Sequence, residues 1–367
     1  MAQVHDPAHM QNSLFGEAED VQQPAAKRNR RAESVGAQTP DPAHAALAAT
    51  LPTLLRLGTS SWNYPGWAGL VWDRDYPEAK LSKHGLRAYA QHPLLRTVSL
   101  DRAFYRPLTV DQYAAYAAKV PEHFRFLVKA PSLVADAMIR NDSGRGQQIN
   151  PNFLDPERAV HAFVEPALAG LGRKLGALVF QLSPLPPALL ARPEAVLERL
   201  GAMLQALPKL DSQTAPDGVI AVELRDATFL APDLAPQLIR ALREGRATYC
   251  LGLHAKMPPI GEQLPILRAL WPGPLVCRWN LHRRHGAYGY ETAKRLYGAF
   301  DKIVDADPET RQTLARVIAG ATGAGHPAYV TIGNKAEGSA PLSVAALAEA
   351  VVALCLPGRD GLRSNPD

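Results

Sequence analysis

Several short apolar runs in the chain end on a side chain that can do chemistry. Lys129 closes Phe124-Arg125-Phe126-Leu127-Val128, and an ammonium in that setting needs a partner or a task, because an unpaired buried charge is costly. Glu223 closes Val219-Ile220-Ala221-Val222 in the same way. If these two met the guanidinium of Arg278, one site would hold an acid or base and two groups for negative charge, the parts needed for hydrolysis or isomerisation. Glu223 and Lys129 are therefore the candidate catalytic residues, Glu223 as general acid or base and Lys129 with Arg278 as charge holders. The alternative for the first two is a Lys129–Glu223 ion pair that serves stability alone.

Other run ends supply polar and aromatic groups. Gln181, Arg225, Arg278 and Asn334 are candidate substrate-binding residues, with Tyr105 and the aromatics Trp62, Tyr64 and Trp67. Aromatic clusters serve equally as ligand platforms or as packed plugs, and the residue types do not choose between them. Arg278, Arg283, Arg284 and Lys335 would make one rim electropositive, which favours a small anionic or sugar-like ligand. A metal-dependent version would gather Asp101, Glu223, His254 and His282, which lie in different segments, so no local spacing supports it and no cofactor or metal is expected. The alternative to an enzyme is a non-catalytic module that binds a ligand or nucleic acid, and nucleic acid, stacked on Trp62, Tyr64 and Trp67, is the less favoured partner.

The elements that must position these groups alternate. Strands are expected at Leu54–Ser60, Leu94–Leu100, Phe124–Ala130, Leu175–Leu182, Val219–Leu224, Thr248–Leu253, Leu275–Asn280 and Ala328–Ile332. Their near-continuous apolar character implies burial on both faces, as in a parallel sheet covered by helices. Helix signals fall between them: a capping box at Thr109–Gln112, Asp155 before Pro156, and Pro193, Pro232 and Pro265 near helix starts. Later helices are expected over Tyr290–Asp305 and Ser343–Leu356. The connection between Ala130 and Asp155 is too long for a simple turn and reads as a lid or a disordered excursion. The segment after the first strand, Gly58-Thr59-Ser60-Ser61-Trp62, is not a dinucleotide-binding turn, and no P-loop occurs anywhere. The pattern predicts an α/β protein, a single-domain (β/α)8 TIM-type barrel with its site at the C-terminal ends of the strands.

Composition bounds the rest. The 367 residues, 47% hydrophobic and 20% charged, exclude a fibrous or wholly disordered chain. Residues 1–50, poor in branched and aromatic side chains, are expected to form a disordered leader carrying the basic run Lys27-Arg28-Asn29-Arg30-Arg31. The barrel would then occupy 51–358 and a flexible tail 359–367. A net charge of +5 is too mild to demand nucleic acid. Three widely spaced cysteines and no signal-like or membrane-spanning segment point to the cytoplasm, with no membrane partner.

With these residues in view, the chain resembles the YecE-like family, known as domain of unknown function 72. The matching pieces are Gly58-Thr59-Ser60-Ser61-Trp62-Asn63-Tyr64-Pro65-Gly66-Trp67, Thr97-Val98 with Phe104-Tyr105, Phe124 to Pro131, Leu178-Val179-Phe180-Gln181-Leu182, Val222-Glu223-Leu224-Arg225, and Asn334. The resemblance covers most of residues 54–356 and implies a TIM-type barrel with a polar pocket. It carries no established reaction. The chain differs from the family pattern at Ser99 and Asp101, where Glu and Asn are usual, near Ser132 and Asp136, and at Asp226, where His is usual.

Overall fold

Each expected strand forms, and the backbone amides of one run find their acceptors on the next until the ring closes. A computed structural model describes residues 34–141, 146–286 and 289–355. In chain order the strands are β1 (Leu55–Thr59), β2 (Thr97–Leu100), β3 (Arg125–Lys129), β4 (Met138–Arg140), β5 (Gly146–Ile149), β6 (Leu175–Gln181), β7 (Val219–Glu223), β8 (Thr248–Leu253), β9 (Leu275–Trp279) and β10 (Ala328–Ile332). All but β4 and β5 join a closed parallel barrel in the order β1-β10-β9-β8-β7-β6-β3-β2. Helices alternate with these strands and cover the outside, so the fold is a (β/α)8 TIM barrel.

Strand alternation sorts the barrel residues into an outer and an inner set. Phe126, Leu178, Val222 and Leu251 face the helices, while Leu127, Val179, Ala221, Cys250, Val276 and Tyr329 pack together inside. Below that apolar layer the floor is polar: Arg125 donates to Asp217 at 2.8 Å, and the Tyr329 hydroxyl donates to the Asp217 carbonyl at 2.8 Å. Above it, two residues further along their strands, stand Lys129, Gln181, Glu223 and Arg278, all buried. The period of two thus delivers polar groups to the C-terminal end over a greasy plug. Gly252 gives Glu223 room there, since a Cβ would lie 3.3 Å from its Cγ, a tight contact.

The caps form as the sequence predicts. Thr109 accepts from Gln112 N and Gln112 accepts from Thr109 N, opening the helix Val110–Ala117. Asp155 accepts from Arg158 N, and Pro193 is the first residue of Pro193–Ala206. Two of the helix expectations need correction. Pro265 lies inside the helix Ile260–Ala269 and not at its start. The helix expected over Tyr290–Asp305 stops at Tyr297, where Gly298 and then Phe300 adopt positive φ and turn the chain back over the barrel. In the connection after β3 the described residues form the helix Ser132–Ala135 and the antiparallel pair β4–β5, tied down by Asn150 Nδ2 donating to the carbonyls of Leu133 and Asp136.

Residues 34–50, expected within the leader, also pack. Pro42–Thr50 is a helix capped by Asp41, Ala48 is buried, and Arg96 donates to the Ala48 carbonyl at 2.9 Å. The rest of the leader, with its basic run, and the tail lie outside the described residues. The last described helix is Ala340–Cys355. Among the described residues no helix is long and apolar enough to cross a membrane.

Candidate functional site

The C-terminal end of the barrel opens into a cavity of about 450 Å³. Lys129 from β3, Gln181 from β6 and Arg278 from β9 line its base, and Arg225 and His254 follow from the ends of β7 and β8. Its cations are Lys129, Arg140, Arg225, Lys256, Arg278, Lys294 and Lys335, against the carboxylates Glu78 and Asp101, so the walls are electropositive. Tyr64, Phe104, Tyr290 and Phe300 supply apolar faces.

Glu223 is held from both sides. Arg278 Nη1 donates to its Oε2 at 2.7 Å, and Arg225 Nη2 ion-pairs with its Oε1 at 2.7 Å. The same two guanidiniums share the Gln181 carbonyl, at 2.8 Å from Arg278 and 3.0 Å from Arg225. Arg278 Nη2 then grips both Asp101 oxygens, at 2.9 and 3.1 Å, and the Ser99 hydroxyl donates to Asp101 at 2.6 Å. Ser99 and Asp101, two of the positions that depart from the family pattern, thus build one end of the network. Burial pushes the Glu223 carboxyl up, but the two arginines outweigh it and hold it below the usual range. Glu223 is fully buried and does not line the cavity, so it acts here as an anchor for Arg225 and Arg278.

Lys129 is different. Its ammonium lies 3.5 Å from the centroid of the Phe104 ring, a cation–π contact. No carboxylate among the described residues ion-pairs with it, and the Lys129–Glu223 pair is not formed. Burial lowers its pKa from 10.5 to about 7, with Arg278 and Arg225 adding to the fall and Asp101 and Glu223 opposing it. A lysine that lines a cavity and shares its proton near neutrality can serve as base, acid or nucleophile. Lys335, packed 5.5 Å from the Tyr290 ring, is lowered by burial to about 8.

The aromatic candidates separate. Tyr64 lines the cavity, with its hydroxyl pushed up to about 12 by burial. Trp62 is buried, donates to the Leu81 carbonyl at 3.2 Å and meets Tyr116 edge-on. Trp67 is wholly buried, stacks on Trp72 and donates to Asn334 Oδ1 at 3.2 Å. Neither lines the main cavity: Trp67 is packed into the core, and Trp62 borders a smaller pocket beside Tyr64. Tyr105 packs edge-on against Phe104, and Phe104 is the one that reaches the cavity. Asn334 lines the cavity, and its Oδ1 also accepts from Ala340 N at 2.8 Å, which fixes the amide orientation. Its Nδ2, with Asn280 Nδ2 and Ser60 Oγ, is buried without a protein partner.

The metal alternative is not assembled. Asp101 and Glu223 are gripped by Arg278, His254 Nδ1 accepts from Lys256 N, and His282 Nδ1 accepts from Arg284 N. Among the described residues no group of three or more potential ligands is gathered. Arg283 and Arg284 do not join the rim either: one donates to the Met257 carbonyl and the other pairs with Asp305. Ser132 and Asp136 shape the hairpin, Asp136 holding Arg140 at 2.7 Å, and Asp226 accepts from Leu185 N at 3.0 Å. Tyr290 and Phe300 escape a reading of the sequence because they flank a segment that looks like one helix.

A crystal structure of a DUF72 family protein from Enterococcus faecalis V583 is similar to this chain, with 19% identity, 85% of this chain and 100% of that one covered, and a TM-score of 0.54. A DUF72 family protein from Thermotoga maritima MSB8 also matches, with 16% identity over 80% of this chain and 98% of the other at a TM-score of 0.46. No curated protein matches by sequence. The family model described as "Protein of unknown function DUF72" matches residues 56–358, and the chain belongs to that family, also called YecE-like.

Proposed function

We propose that the protein is an enzyme that takes a small anionic, hydroxyl-bearing substrate into the cavity at the C-terminal barrel end and moves a proton there with Lys129. The observation that carries this reading is Lys129 itself: a buried amine lining the cavity, unpaired by any described carboxylate and titrating near neutrality. In water a lysine is almost fully charged at neutral pH. Here the neutral base and the charged acid coexist, which suits proton transfer in isomerisation or hydrolysis. Arg225 and Arg278, locked by Glu223 and Gln181, would hold negative charge without reorganising. Asn280, Asn334 and Ser60, each with an unpartnered polar atom, favour a ligand with hydroxyl groups. All three cysteines are unpaired, in keeping with a reducing cytoplasm.

A binding module for nucleic acid is the weaker reading, because Trp62 and Trp67 are buried and offer little surface on which a base could stack. The test is a thermal-shift series with inorganic phosphate, sugar phosphates and sugar acids, alongside the matching uncharged sugars. The anionic polyols are expected to raise the melting temperature most, and Arg225→Gln to abolish the difference. Equal, negligible shifts for every compound would contradict the reading.

A further inference from the structure

The amine of Lys129 has more than a proton to offer. Nothing among the described residues holds it in the charged form by an ion pair, and Glu223 is committed to Arg225 and Arg278. One face of the site around it is the Phe104 ring, and the cavity gives a carbonyl compound room to approach. We propose that Lys129 is an imine-forming nucleophile, condensing with the aldehyde or ketone carbon of a small compound whose phosphate or carboxylate lies against Arg225 and Arg278. The inference rests on the function proposed above and names the chemical class of its substrate.

The chemistry closes on itself. The amine lone pair adds to the carbonyl carbon, the π pair moves to oxygen, and a proton passes from nitrogen to that oxygen to give a carbinolamine. The hydroxyl then leaves with one added proton as water, and the nitrogen lone pair forms the C=N bond of the protonated imine. No oxidant or reductant enters. The added proton comes from solvent and is balanced by the positive charge of the imine. The positive imine stays over the Phe104 ring, where a cation is favoured.

Pyridoxal 5′-phosphate, an aldehyde carrying a phosphate, is the probe, and pyridoxal is its counterpart without the phosphate. The full-length protein is treated briefly at pH 7 with each, reduced with borohydride and mapped by peptide mass spectrometry. Lys129 is expected to take the label at least about tenfold faster than exposed lysines, since an amine titrating near 7 is far more often neutral than one near 10.4. Inorganic phosphate should slow labelling by pyridoxal 5′-phosphate but not by pyridoxal. Lys129→Arg keeps the cation and should remove the preferred site, leaving the other lysines unchanged. Phosphate-sensitive binding of the probe with no label at Lys129, or preferential label at Lys335, would overturn the imine and leave the anion pocket standing. Label at Lys129 that ignores phosphate would sustain the nucleophile and count against the anionic substrate. Neither binding nor label would remove both.

Discussion

Arg278 bridges two carboxylates carried by strands that are not neighbours in the barrel, Glu223 of β7 at 2.7 Å and Asp101 after β2 at 2.9 Å. The guanidinium is 3% exposed, so the arrangement is a buried network whose members depend on one another. Arg278→Met would remove the cation that Asp101 and Glu223 share. The expected cost is about 3–5 kcal/mol in urea unfolding, the range for breaking a buried pair. A loss under about 1 kcal/mol would mean that the carboxylates are hydrated or partnered elsewhere.

The same network gives an acid dependence. Glu223 has a folded pKa below its unfolded one, so its contribution is present above the unfolded value and is lost as pH falls through the folded value. Wild-type stability should therefore decline below about pH 4.5 more steeply than that of Glu223→Gln, which lacks the group but starts lower. Parallel acid-unfolding curves for the two proteins would show that Glu223 is not held by the arginines.

Lys129 acts with the opposite sign. Its folded pKa is lowered, so the unfolded chain binds more protons between about pH 7 and 10.5, and stability should rise with pH across that window. Lys129→Met should be more stable than the wild type at about pH 6, where the buried charge carries its full penalty, and the advantage should shrink toward about pH 10. A tenfold change in proton affinity between the folded and unfolded chains corresponds to about 1.4 kcal/mol, so the difference is measurable by denaturation at a few pH values. A variant weaker than wild type at every pH would show that Lys129 is stabilised by contacts beyond the Phe104 ring.

Asn334 and Trp67 provide a test at the rim. Trp67→Phe keeps most of the ring but removes one donor to Asn334, at an expected cost of about 1 kcal/mol. Asn334→Ala leaves both Trp67 Nε1 and Ala340 N without their acceptor and should cost about 2–4 kcal/mol. Equal losses in the two variants would indicate that the Ala340 bond contributes nothing.

The barrel is legible in the sequence because its strands are fully buried and therefore nearly continuous in apolar residues, so all eight appear within a few residues of their observed limits. Lys129 stands out for the same reason, as a charge closing such a run. Trp62 and Trp67 are ambiguous by nature: an aromatic side chain looks the same in a sequence whether its face is covered or open. Glu223 is visible as a buried carboxylate, but its role as an anchor is not, since its partners Arg225 and Arg278 are set by strand order and the barrel's closure, which no local spacing encodes. Phe300 is hidden by the helical look of Tyr290–Asp305, where Gly298 alone signals the turn. Residues 34–50 read as leader because their composition is poor in branched and aromatic side chains, whereas their docking rests on small groups and backbone, such as the Ala48 carbonyl that Arg96 reaches.

The proposed chemistry depends most on the protonation of one amine. With lysine isotopically labelled at the ε-carbon, NMR titration of the full-length protein can follow Lys129, assigned by its loss in Lys129→Arg. A midpoint near 7 is expected, moving upward when inorganic phosphate binds beside it and moving upward also in Arg278→Met. A midpoint close to 10.5, unchanged by phosphate, would contradict the claim that this cavity is built around a lysine poised to exchange its proton.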